Sequence, residues 1–504
     1  MRYINKMLVK KCFIFEFLGK KINIIVIAIV LIIITVNADT FYVNSTDKKA
    51  KDENPGTEKL PFLTIQRGID KAKPGDTIIV MPGDYGRVTV NKSGEKGNLI
   101  IIKGLNIPDQ KHVDKSKIID PSKPVAFPGN PNLNAVTKGF DVNASFVRIE
   151  NFEITAVGKG IGGIHLLKCD TIEIVNNFLH DLNPMKNNYG GIRANSHDNK
   201  NILIRGNTLF RCAGTSIIIL GENWIVEENE CSHGTNLNTV TGENVGGEDA
   251  IRIFGTGHII RRNYLHDFLD EEQFPGSKPH LDAFQTFSVY PQSQYASNIL
   301  IEGNYCNNIG QMFMCSDTAE QKTKENKVHH ITLKKNVFRK ARAYAILLTA
   351  GSDYVTFVNN VVVDSYYGAL AISGGSHHAI VLNNIFYNNY TSSKSKGKTG
   401  PFIIDESSRE GSVVDYNIQN FDYTYPPKIP EFDKNSMIGV DPKFVDPDAG
   451  DYRLQKESPA IDKGDPSIIS PSCGGKRVDI GAFEYGCPED EWILKNFHII
   501  EKNK

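Results

Sequence analysis

Between Val147 and Ile385 the sequence keeps returning to one phrase, a short alternating apolar strand that ends in asparagine. The strands begin at Val147, Ile172, Ile202, Trp224, Ile259, Ile299, Ile331, Val355 and Ile380, and run into Asn151, Asn177, Asn207, Asn229, Asn263, Asn304, Asn336, Asn360 and Asn384. Successive asparagines are 26, 30, 22, 34, 41, 32, 24 and 24 residues apart, a base period near 22 to 24 with insertions. Each period holds a second strand that opens on a small residue, as at Gly163, Gly191, Ser216, Ala250, Ala283, Ala345 and Ala369. Two or three short strands with no room for a ten-residue helix exclude leucine-rich and helical solenoids, and leave an all-β, right-handed parallel β-helix. One coil cannot bury its inward side chains alone, so like positions must stack. An asparagine at the same turn of every coil is then a hydrogen-bonded ladder and not a set of functional residues.

The flanks differ from the coils. Lys20 and Lys21 precede an apolar run from Ile24 to Ile34 and a small-residue exit at Ala38, which reads as a secretory signal over 1–38, or a membrane anchor if it stays uncleaved. A secreted or cell-surface chain is expected. Ile65, Ile69 and Ala72 fall at helical spacing and stop at Pro74-Gly75, so residues 39–85 are expected to form a cap with a short helix. The β-helix is placed at 86–425 and an irregular closing segment at 426–504. Cys12 lies in the leader, leaving seven cysteines in the mature chain and at least one free thiol in a monomer, the expected state. Cys473 and Cys487 are the best pair, whereas Cys231 and Cys306 each follow a ladder asparagine by two residues and read as small core side chains. The leader takes six Lys/Arg and one acidic residue, so the rest holds 51 basic against 57 acidic residues. Such a balance lacks the basic surface that nucleic acid demands.

Residues 41–85 and the stretches Asp441–Asp446, Asp451–Leu454, Ser458–Asp462 and Asp479–Glu484 resemble the N-terminal cap and closing segment of secreted right-handed β-helix proteins of the pectate-lyase-like superfamily. The resemblance covers most of residues 40–486 and speaks for fold, not chemistry.

Chemistry is expected where the period is exceeded, in the loops 234–248, 268–281, 288–297 and 316–327, which would wall a groove along consecutive coils. Aligned coils put Asp249 and Asp282 at a position that Gly162, Gly190 and Thr215 fill elsewhere, and set His165, Arg193, Arg252 and Gln285 in one outward column broken by Ile218. Two adjacent carboxylates need a bridging cation or a proton. Asp249, Asp282, Glu248 and Glu243 are therefore the expected ligands of a Ca²⁺ ion. Arg252, Lys278 or Arg193 would be the base, and His165, Gln285 and His280 would touch an acidic, uronate-containing polysaccharide cleaved by β-elimination. Calcium-dependent pectate lyases of the β-helix type show a similar but fuller pattern. Where they carry paired Asp and a further Asp, this chain reads Leu281-Asp282-Ala283-Phe284-Gln285, and the coil expected to bear Lys reads Met312-Phe313-Met314. A glycoside hydrolase using Asp249 and Asp282 as acid and base is the first alternative, and a non-catalytic carbohydrate-binding protein the second. His180-Asp181 and His266-Asp267 recur at one turn and read as structural hydrogen bonds.

Overall fold

The computed structural model describes residues 38–117, 120–122, 126–155, 162–182, 191–238, 242–288, 295–317, 328–389, 402–420 and 432–502. The signal or anchor expected over 1–38 therefore lies outside the described residues except for Ala38. No described helix is long and apolar enough to cross a membrane.

Strands stack in parallel, coil upon coil, to make three faces. The first runs from Thr40–Val43 through Asp170–Val175, Ile259–Arg261 and Val328–Lys334 to Val413–Asp415. The second follows the ladder asparagines, from Glu153–Thr155 and Phe178–Leu182 to Ile418–Gln419. The third includes Gly163–Leu166, Ile192–Ala194, Ile217–Ile219, Glu248–Ile253, Leu281–Ser288 and Gln311–Asp317. The long strand Ala135–Val142 pairs with both Glu153–Thr155 and Gly163–Leu166, and so joins the second and third faces.

Alternation along each strand sends one set of side chains inward, and parallel register stacks like on like. On the first face Ile204, Val226, Ile260, Ile301, Leu333 and Phe357 form one buried column. On the second, Leu209, Cys231, Leu265, Cys306 and Phe338 form another, so both cysteines pack as core side chains as expected. Each fully buried Ile or Leu contributes roughly 1.5–3 kcal/mol. Gly191 opens a third-face strand because a Cβ there would lie 1.6 Å from the Ser216 carbonyl oxygen.

The corner between first and second faces is the asparagine ladder. Asn229 Oδ1 accepts from the backbone N–H and the side-chain Nδ2 of Asn207 at 2.9 and 3.0 Å. Its own Nδ2 donates to the Ile204 carbonyl and to Asn263 Oδ1, both at 3.0 Å. The residue just before the ladder is left-handed even where it is Glu228 (φ 61), Arg262 (φ 54) or Lys335 (φ 55), a conformation the ladder has to hold in place. Two details depart from expectation. Asn151 occupies this left-handed position (φ 64), and it is the N–H of Phe152 that Asn177 caps. The ladder instead starts at Asn177 and runs one coil further, to Asn417.

The cap helix is Ile65–Lys71, with Thr64 Oγ1 accepting from the Arg67 N–H and Ile65, Gly68 and Ile69 buried. At the other end Phe432 enters the main core and Met437–Ile438 adds a last strand to the second face. Beyond that the closing segment turns back along the flank of the second face. Phe444, Tyr452, Leu454, Ile480 and Phe483 pack over Tyr264, Tyr305, Val337, Val361 and Ile385. Cys473 and Cys487 are disulfide-bonded, with Cα atoms 5.2 Å apart.

Candidate functional site

Register brings the expected residues together on the third face. Asp249 lies opposite Asp282 and Arg252 opposite Gln285, one strand spacing (about 4.8 Å) apart. The outward column has the expected order, with His165 against Arg193, Arg193 against Ile218, and Ile218 against Arg252. Gln285 is followed by Met314 on the next coil.

The carboxylates themselves are deep. Glu248, Asp249 and Asp282 are all 0% exposed. Arg252 donates from Nε at 2.7 Å and from Nη2 to the same oxygen, Asp249 Oδ2. Gln285 Nε2 donates to Asp282 Oδ2 at 2.8 Å. The other oxygens, Asp249 Oδ1, Asp282 Oδ1 and both of Glu248, have no hydrogen-bond partner among the described residues, nor do the hydroxyls of Thr215 and of Ser216, whose N–H donates to the Asp249 carbonyl. Buried polar atoms are seldom left so. Burial first, and then the Asp249 charge, push the Glu248 and Asp282 carboxyls well above the ordinary carboxylate range. Asp249 is raised by burial as well, despite the Arg252 guanidinium.

The remaining expected residues are spread more widely, with His165 three strands from Arg252 along the column. Lys278 and His280 are exposed on the loop leading into Leu281–Ser288, and the His280 charge reaches Asp249. Glu243 is exposed on a loop closed by the Leu237–Asn244 bridge, and its carbonyl accepts from the Asn238 N–H. Arg193 is half-buried. His165 is buried and held to about 4, first by burial and then by Arg87, so it is neutral near pH 7. Parts of the loops 288–297 and 316–327 lie outside the described residues.

Coil alignment starting at Gly163 missed the preceding members of the column. Asp141 stands next to His165 and binds Arg87 through Nε and Nη2, both at 2.7 Å. Carrying the alignment one coil earlier would have shown Asp141. The Arg87 contact had no sequence signal, since 54 residues separate the partners. Both His-Asp pairs form the expected side-chain bonds, at 3.0 Å for His180 and 2.8 Å for His266.

A right handed beta helix region is matched by residues 138–389. The chain belongs to this family. Among solved structures, this right-handed β-helix resembles XylC in complex with xylose, at 12% identity and a TM-score of 0.50 over 81% of this chain and 87% of that one. It also resembles pectate lyase Pel9A, at 15% identity and a TM-score of 0.41 over 88% and 96% of the two chains. A third is the GH136 lacto-N-biosidase from Eubacterium ramulus, at 13% identity and a TM-score of 0.44 over 74% and 68%. At such identities the likeness is one of fold. No curated protein matches the sequence.

Proposed function

We propose that the chain is a polysaccharide-active enzyme that cleaves a uronate-containing polymer by cation-assisted β-elimination at the third-face corner. The observation that carries this reading is an imbalance of buried charge. Three carboxyls are fully buried on adjacent strands, and only one of them, Asp249, is bonded to a cation, Arg252. Ionised together they leave two negative charges, the charge of one divalent ion. A buried unpaired carboxylate costs several kcal/mol, so the corner takes up either protons or a cation. The donors are all hard oxygens, which suit Ca²⁺.

Asp249, Asp282 and Glu248 would hold the ion, with Glu243 at the rim. They do not bring three ligand atoms within 4.8 Å of one another, so water and substrate oxygens would complete its shell. A bound Ca²⁺ supplies charge neutralisation to a uronate carboxylate, which makes the neighbouring C5 proton more acidic. Arg252, fixed by Asp249, keeps its own proton and orients the acidic chain, and Arg193 extends this contact along the column. Proton removal falls to the exposed rim, to His280 or Lys278. The fold shared with pectate lyase Pel9A is compatible with this reading.

One observation favours a second reading. Without a cation, burial keeps protons on Glu248 and Asp282, and a protonated buried carboxyl is what a glycoside hydrolase uses as its general acid. Incubation with pectate, alginate and glycosaminoglycans, with and without chelator, separates the two. Unsaturated, chelator-sensitive products support the lyase. New reducing ends without unsaturation support the hydrolase, and the absence of both products overturns each in favour of a binding protein. His280→Gln and Lys278→Met then identify the base, as the variant that loses turnover while retaining cation binding.

A further inference from the structure

A second cluster lies on a different face. Glu153 opens the second-face strand Glu153–Thr155, next to Phe178 on the following coil, and is 0% exposed. Its Oε1 is approached by two imidazoles, His180 Nε2 at 2.9 Å and His112 Nε2 at 2.7 Å. These three ligand atoms all lie within 4.8 Å of one another. His180 comes from the neighbouring coil, whereas His112 comes from the excursion between Gly104 and Ala135, outside the coil pattern.

Two of the three ligands, Glu153 and His180, are oriented from behind. Glu153 Oε2 accepts from Asn134 Nδ2 at 2.7 Å and from the Asn130 N–H at 3.0 Å, which leaves Oε1 to the imidazoles. His180 Nδ1 bonds Asp181 Oδ2 at 3.0 Å, and Asp181 is held by Arg211 Nη2 at 2.7 Å and by the Phe127 N–H at 3.2 Å. A carboxylate behind a histidine, itself anchored, is the outer arrangement that fixes a metal-binding tautomer. His112 Nδ1 is buried without a partner among the described residues.

We propose that His112, Glu153 and His180 bind a divalent transition-metal ion, zinc by the chemistry of the set, which ties the 105–134 excursion to the second face. Two imidazole nitrogens and one carboxylate oxygen form a borderline donor set that suits Zn²⁺ and not Ca²⁺, so this site is chemically distinct from the corner around Asp249. The His112 side chain is 19% exposed, and a water on that side would be the fourth ligand. The role is structural: the ion would add to the contacts that Val113, Phe127 and Asn130 already make with the second face. Without a metal, the same geometry is an imidazolium of His180 held between Glu153 and Asp181.

The test uses the untagged chain, stripped with chelator, titrated with Zn²⁺ and followed by calorimetry and elemental analysis. The expected result is one ion per chain, with at least 100-fold weaker binding in His112→Ala. His112 is partly exposed and belongs to no coil, so that variant should keep the fold, which circular dichroism checks. Zinc should also slow proteolysis within 105–134 in the wild type and not in the variant. Asp282→Asn run in parallel should bind Zn²⁺ unchanged, so that zinc taken up at the carboxylate corner is not counted. Absence of stoichiometric binding in the wild type, or binding that survives His112→Ala, overturns the proposal in favour of the imidazolium.

Discussion

The coils that contain Asn229, Asn263 and Asn304 also contain Asp249 and Asp282, and at both corners polar side chains are fully buried. At the asparagine corner each side chain gives and receives on both sides, and the nearby buried carboxylate, Glu227, is bonded by both Arg205 and Arg261. At the carboxylate corner four oxygens go without a partner among the described residues, and of three acidic groups only Asp249 is bonded to a guanidinium. Burial is the same and satisfaction is not. A buried polar column that closes on itself holds a fold together, whereas one left open stores an unmet demand that a ligand can fill.

The comparison breaks most sharply at Asn336, which is in the ladder and away from the carboxylates. Asn336→Ala leaves the Asn304 N–H without its acceptor and removes the side-chain bonds to Asn304 Nδ2, the Ile301 carbonyl and Asn360 Oδ1. One stranded buried donor and three lost bonds should cost about 3 kcal/mol in denaturant unfolding while substrate binding survives. At the other corner the sign should reverse. Asp282→Asn replaces a buried carboxyl, protonated when no cation is bound, by a neutral amide of the same shape, so stability should hold or rise by about 1 kcal/mol, while turnover falls about 100-fold, a loss of about 2.7 kcal/mol in transition-state stabilisation. If that variant destabilises as Asn336→Ala does, the carboxylates are structural and the comparison collapses.

A pH titration sharpens it further. Glu248, Asp249 and Asp282 have raised pKa values, so the native state keeps protons that the unfolded chain releases. Their contribution is complete below about pH 4, the ordinary carboxylate value. It is lost as pH climbs from there through the raised values. Melting temperature without divalent ions should therefore fall with rising pH, and Ca²⁺ should flatten the slope; Asp282→Asn should reduce both effects. The smallest change is expected at Arg193→Gln, a several-fold rise in KM on an acidic polymer with kcat unchanged, measured by initial rates.

Much of this was legible in the sequence because a solenoid turns spacing into register. Once the second strands are aligned on their small opening residues, Ala250 and Ala283, Asp249 faces Asp282 and Arg252 faces Gln285. The slip at Asn151 has a physical origin. Several coils carry Asn-Asn, as at Asn176-Asn177 and Asn359-Asn360, in which the first is the left-handed residue and the second the rung. The coil with Asn151 has only the first. What the sequence hid are contacts made by residues outside the period. His112 meets Glu153 across 41 residues from a stretch without repeats, and Arg87 meets Asp141 across 54. A glutamate in a coil position filled by Phe178 and Thr208 on the next two coils was the one available hint.

The returning C-terminal segment has a kinetic consequence. Tyr305 donates to the Gly450 carbonyl across 145 residues, and Lys335 bonds Asp490 across 155. Coils before Asn263 can stack as they emerge during synthesis, each on its predecessor, whereas the outer surface from Tyr264 to Ile418 waits for residues 444–499. Such distant closures form slowly and, once formed, must be undone before the coils beneath can peel away. The segment thus works as a latch set by the final part of the chain, governing how long the molecule lasts more than how readily it begins to fold.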